Sequence, residues 1–235
     1  MEVSNISQRY GDRVIFDNFS YVFPENKVTV ILGHSGVGKS TLLKIISGTI
    51  KYDGEVINIK GKGSIVYAEQ RLLPNLTVIN NLHYIMKGIE RDKLIRTKLI
   101  ENTLEELDIL KYKDTYPQQL STGMAQRVAL ARAFLFPSKV MLMDEPFRGL
   151  DIGMRVKLID KYTQMWQKNH KTVIWVTHDV NEAILLAHRL IIIGGAPAKI
   201  IYEENINIPH HLRYSDENIN YIHSKIINFF HSNIF

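Results

Sequence analysis

Apolar positions along the chain fall into three regimes. Through the first 67 residues, short runs at 2–7, 14–16, 19–23, 28–32, 55–59 and 64–67 are separated by turn residues such as Tyr10-Gly11-Asp12, Pro24-Glu25-Asn26 and Tyr52-Asp53-Gly54. That punctuation predicts strands. From about 77 to 136 the spacing becomes helical, with Leu94, Ile95, Leu99, Leu104, Leu107 and Leu110 on one approximate stripe. Beyond it, continuous apolar runs alternate with helical ones: a strand at 140–143, a helix at 152–169, a strand at 173–177 and a helix at 181–187. Strands that are apolar at every position are covered on both faces, which predicts a parallel sheet between helices. Trp166 and Trp175 fall in such a helix and strand and are expected in the core. From Pro209 the chain is rich in Asn, His and Ile, and His210, His211, His223 and His231 read as a solvated tail.

Composition narrows the class. With 235 residues, 45% of them hydrophobic, the chain can bury a substantial core in one domain. The absence of cysteine excludes a disulfide framework and a thiolate metal site. No apolar run approaches the ~18 residues of a membrane span, and Met1-Glu2-Val3-Ser4-Asn5 has no signal-peptide pattern. The net charge of +5 is spread along the chain, so it reads as a solvated face and not as a nucleic-acid surface.

Chemistry enters at Gly33-His34-Ser35-Gly36-Val37-Gly38-Lys39-Ser40, which fits G-x-x-x-x-G-K-[S/T]. The glycines let successive N–H groups converge on one anion. Lys39 brings charge to the β- and γ-phosphates, and Ser40 offers a hydroxyl to Mg²⁺. A strand at 27–32 feeds the loop and a helix at 40–46 leaves it, with its positive end at the phosphates. The run Val140-Met141-Leu142-Met143-Asp144-Glu145 adds an apolar strand ending in two carboxylates. Asp144 suits Mg²⁺, and Glu145 suits a general base for water. His178, after the strand at 173–177, can hydrogen-bond the γ-phosphate or that water.

Leu120-Ser121-Thr122-Gly123-Met124 opens a helix that continues through Ala125-Gln126-Arg127 to Arg132. Ser121 and Gly123 at its start make a second anion site, and Arg127 and Arg132 add charge. Together with the phosphate loop and the strand ending in Asp144-Glu145, this resembles the ATP-binding subunits of ABC transporters over about residues 1 to 205. Arg71-Leu72-Leu73-Pro74, Asp144-Glu145-Pro146-Phe147 and Thr177-His178-Asp179 carry a closer similarity to importer subunits for nitrate, aliphatic sulfonates and taurine.

The resemblance implies a phosphate-loop ATPase fold of the ABC type: a mostly parallel α/β core, an antiparallel β subdomain and a helical subdomain at about 75–136. All 235 residues would form one ATPase domain. It also implies that Tyr10 stacks on adenine and that residues 33–41, Thr41 included, hold the phosphates of ATP. Ser121 to Met124 would meet the γ-phosphate of ATP held by a second copy, and Leu150-Asp151 would face that copy. The implied partners are a homodimer, an integral-membrane permease and, indirectly, a solute-binding protein, with no nucleic acid. The implied location is cytoplasmic, peripheral on the inner face of the membrane. Residues 68–82, walled by Leu72-Leu73-Pro74, would dock a permease helix. A non-transport ABC ATPase, or a nucleotide-binding regulator with weak hydrolysis, would share these motifs.

Three departures stand out. Ala68 occupies the place of the family's metal-binding glutamine. Either Gln70 reaches over through a shifted loop, or metal and water are held more weakly. Thr122 replaces a glycine, which a positive φ would strain. Arg148-Gly149 precede Leu150-Asp151 where smaller or neutral residues are usual.

Overall fold

The structure is a computed structural model, and it describes residues 1–57 and 63–232. Two sheets share the core. Strands β1 (Glu2–Tyr10), β2 (Arg13–Val22) and β4 (Asp53–Ile57) form an antiparallel sheet in the order β2-β1-β4. Strands β3 (Val28–Leu32), β5 (Ser64–Tyr67), β6 (Val140–Asp144), β7 (Thr172–Val176), β8 (Arg189–Gly194) and β9 (Lys199–Asn205) form the second, in the order β5-β6-β7-β3-β8-β9. Its pairings are parallel except the last, β8 with β9.

The continuous apolar runs have the predicted cause. Val30 and Leu32, Met141 and Met143, Val173 and Trp175, and Leu190 and Ile192 point to one face. Ile31, Leu142, Ile174, Val176 and Ile191 point to the other. The first face packs against α4 (Thr122–Leu135), α5 (Ile152–Lys168), α6 (Val180–Leu186) and α7 (Glu217–Ser232). The second packs against α1 (Lys39–Ile46) and the antiparallel sheet. Helices α2 (Val78–Met86) and α3 (Lys93–Glu106) complete the helical region beside α4.

The differences from the pattern are local. The runs at 14–16 and 19–23 are one strand, because Asp17-Asn18 forms an irregularity with Asn18 at φ +53 and not a turn. The strand expected at 55–59 is β4, and its last two positions lie outside the described residues. The stripe on α3 is only half right. Ile100 and Leu104 are buried, whereas Leu94, Ile95 and Leu99 face solvent. Arg96 is buried instead, donating from Nη1 to the Glu90 carbonyl at 2.9 Å and from Nε to His83 Nδ1 at 2.9 Å.

The segment after Pro209 is only partly a solvated tail: His211 and His231 are exposed, whereas other positions are packed. α7 buries Ile219, Ile222 and Ile226. Arg213 is 2% exposed, and it donates to the carbonyls of Ile184, Leu185, Ile206 and Ile208. His210 donates to the Leu186 carbonyl at 3.0 Å and meets the rings of His188 and Trp166 edge-on. His188 accepts from the Val28 N–H through Nδ1 at 3.2 Å.

Burial pushes His188 down to about 3, helped by His210, Arg213, Lys27 and His170, and pushes His210 down to about 4, helped by Arg213. Both values lie below the unfolded value of 6.5, so the unfolded chain binds more protons as pH falls through 6.5 toward 4. Stability should therefore be lost in that window, by at most about 1.4 kcal/mol per pH unit for each group. Thermal melting between pH 7 and 4 measures the slope. His210→Phe, which keeps a ring on Trp166 without a titrating group, should flatten it. An unchanged slope in that variant would remove His210 as a cause.

Candidate functional site

The carboxyl ends of β3, β6 and β7 meet at one edge of the sheet, and the phosphate loop rises there. Two of its glycines are required by contact. A Cβ on Gly38, which has φ +117, would come within 2.7 Å of Ile15 Cγ2, and one on Gly33 within 2.6 Å of the Ile193 carbonyl oxygen. Val37 turns its side chain into the core, 4% exposed, which anchors the loop from below. Gly38 caps α1, so the unpaired N–H groups of its first turn face the loop.

A cavity of about 420 Å³ opens over this loop. Ser35, Gly36, Gly38, Lys39, Ser40 and Thr41 line it from the loop, Tyr10 from β1, Asp144 from the end of β6, and Glu145 just after it. Lys39 is buried, and Nζ donates to the carbonyls of Gly33 at 2.6 Å and His34 at 3.0 Å. Burial lowers its pKa, and the charges of Glu145 and Asp144 oppose that shift. The Ser40 hydroxyl donates to Asp144 Oδ1 at 2.8 Å. Burial raises the Asp144 pKa, with Ser40 acting against it.

Glu145 is held by an uncommon backbone. Its φ is +47, and its N–H donates to the Val176 carbonyl at 2.9 Å, binding the end of β6 to the end of β7. A left-handed non-glycine residue costs on the order of 1–3 kcal/mol and persists where the surroundings fix it. His178, which follows β7, lies with Nδ1 3.3 Å from Glu145 Oε1. A carboxylate and a histidine are thus brought together beside the phosphate loop.

Other expected residues fall elsewhere. Gln70 does not line the cavity. Its amide donates to Gln126 Oε1 of α4 at 3.0 Å, while Ala68 stands on the cavity wall. The shifted-loop alternative therefore does not describe this conformation. Ser121 and Gly123 are at the start of α4, outside the cavity. Ser121 accepts from the Met124 N–H at 3.3 Å, and Gly123 is buried under Met154 of α5. Thr122 begins α4 without a positive φ, so the expected strain is absent. The two arginines of α4 are engaged within the fold, and Arg127 also pairs with Asp108 at 3.6 Å. Arg127 donates to the Leu107 carbonyl, and Arg132 to those of Gln70 and Arg71.

Arg13, which the motifs pass over, lines the cavity and donates from Nη2 to the Gly36 carbonyl at 2.9 Å. Its signal is position alone, three residues after Tyr10 across the β1–β2 turn. A larger groove of about 740 Å³ lies away from this chemistry, near Met1, Asn26 and Phe136. Its buried Lys171 is committed to the carbonyls of Ala133, Phe134 and Phe136 at the end of α4, and burial lowers its pKa to about 8.

A parallel sheet with a lysine-bearing phosphate loop, a carboxylate pair on the adjoining edge and a histidine beside it defines a phosphate-loop nucleotide hydrolase. Within that class the chain belongs to the ABC transporter family, whose family model matches residues 16–148. It is 34% identical over 222 residues to the aliphatic sulfonates import ATP-binding protein SsuB of Bacillus cereus, covering 91% of this chain and 87% of the relative. It is 35% identical over 215 residues to the uncharacterized ABC transporter ATP-binding protein MJ0412 of Methanocaldococcus jannaschii, covering 85% and 79%. The dimeric structure of the bacterial ABC transporter cassette MJ0796 matches with a TM-score of 0.77 at 27% identity, over 88% of this chain and 99% of that one. The same cassette in a post-hydrolysis state bound to ADP and Pi matches at 0.74. The chain is an ATPase of this family.

Proposed function

We propose that this ATPase drives a membrane importer. Two copies would close head to tail around ATP, and a separate permease would carry the solute. The observation that carries the reading is the convergence of Lys39, Ser40, Asp144, Glu145 and His178 on one sheet edge. Similarity to an import subunit and to a dimeric cassette supports the finer part. Among the described residues no helix is long and apolar enough to cross a membrane.

The roles follow from position. Lys39 and the loop N–H groups hold the phosphates, and Tyr10 offers a ring to the base. Glu145 accepts the proton of the attacking water, and His178, 3.3 Å from its carboxylate, keeps that carboxylate and the water in register. Ser40 and Asp144 would hold Mg²⁺. A hydroxyl and a half-buried carboxylate meeting at 2.8 Å are hard oxygen donors of the kind it takes. When bound, Mg²⁺ neutralises part of the phosphate charge. Ser121 and Gly123, outside this chain's own cavity, would serve ATP held by the second copy.

Permease docking would use the segment after β5. Asn81 of α2 pins it: its Oδ1 accepts from the Leu73 N–H at 2.7 Å, and its Nδ2 donates to the carbonyls of Leu73 and Leu76. Leu73 remains 40% exposed on that fixed loop, an apolar anchor suited to a helix in a groove. Purified protein should release phosphate from ATP, and pull-down from detergent-solubilised membranes should recover a multi-spanning permease. Leu73→Asp should abolish that recovery while ATP binding stays intact, because the contact would bury a charge. Recovery of ribosomes with no membrane chain would overturn the importer reading.

A further inference from the structure

The turn after Glu145 presents an arginine that the reaction described above does not use. The Arg148 N–H donates to the Glu145 carbonyl at 3.1 Å and closes the turn. Phe147 is fully buried within it, edge-on to Trp175 at 5.1 Å. The backbone of Arg148 is thus fixed at the mouth of the phosphate cavity, while its side chain is 69% exposed. That side chain lines the cavity with Lys39, Ser40 and Glu145, and also the adjoining space of about 450 Å³ beyond Asp144.

Among the described residues its ion-pair partner is Glu145, with Nη1 3.7 Å from Oε2. So long and exposed a pair does not hold a guanidinium against a more highly charged partner. The loop N–H groups and the start of α1 surround the inner phosphates. Asp144, Glu145 and Arg148 line the cavity beyond the loop, on the side that the last phosphate of a triphosphate would reach. Ala68 on the cavity wall brings only a methyl, and the neighbouring Arg71 lies over the Tyr67 ring, 3.7 Å from its centroid. A guanidinium fork matches phosphate oxygens better than any other side chain.

We propose that Arg148 recognises the terminal phosphate: its guanidinium leaves the Glu145 carboxylate for γ-phosphate oxygens, and so distinguishes ATP from ADP. This rests on the nucleotide site proposed above. The test is calorimetric titration of the full chain with the β,γ-imido analogue of ATP and with ADP, each with Mg²⁺. Arg148→Ala should weaken the triphosphate analogue about tenfold or more and leave ADP within about twofold. Arg148→Lys, which keeps the charge without the fork, should fall between.

Lys39→Ala, as the comparison, should weaken both nucleotides. Equal weakening of both by Arg148→Ala would make the residue a general support of the site and overturn the proposal. Unchanged affinities with faster hydrolysis would reduce it to a restraint on Glu145 and overturn it too. Wild-type protein that binds neither nucleotide would remove the site itself, and the proposal with it.

Discussion

Glu145→Gln is expected to lower ATP hydrolysis at least ~100-fold, the scale of a general-base contribution, while ATP stays bound. The backbone at this residue is set by the Val176 carbonyl and by the turn to Arg148, not by the carboxylate. The isosteric amide should therefore sit where the carboxylate sits. What it loses is the capacity to accept a proton beside His178. With hydrolysis stopped and ATP held, the two-copy assembly should accumulate and elute as a dimer in gel filtration only when ATP is present. A variant that stays monomeric with ATP and hydrolyses at the wild-type rate would contradict both the role and the assembly.

Lys39→Ala should weaken ATP binding by about 10- to 100-fold, the worth of a charged hydrogen bond lost from a buried site. The effect has two parts. The phosphates lose a cation whose side chain is 5% exposed and so poorly replaced by water. The carbonyls of Gly33 and His34 also lose the ammonium that ties the first residues of the loop to its last. Titration with ATP reads the affinity, and phosphate release reads the consequence. Unchanged hydrolysis would sink the assignment of the loop.

The legible parts of this protein are those whose cause lies within a few residues. The phosphate loop could be read because its glycines, lysine and serine are contiguous and each answers a local demand. The strands β6 and β7 could be read because two-sided burial removes polar residues from an unbroken run. β8, with Leu190-Ile191-Ile192-Ile193, carries the same signal, but the clear strand–helix alternation ends at residue 187 before it. Other features depend on partners far along the chain. His210 looks solvated until the Leu186 carbonyl at the end of α6 and the ring of Trp166 are placed beside it. Leu94 and Ile95 look buried until α3 is seen to turn Ile100 and Leu104 inward. The destination of Gln70 depends on Gln126, 56 residues further on.

The ties between the Gln70–Arg71 loop and α4 have a mechanical consequence. Arg132 grips the loop's carbonyls near one end of the helix, and Ser121 caps the other end. The span between them is about 16 Å at the rise of an α-helix. A tilt of roughly 10° about the Arg132 anchor would displace Ser121 by about 3 Å, comparable to the length of a hydrogen bond. The helix is a lever with a short grip and a long reach. Small displacements where β5 ends would be magnified at the serine, far from where they began.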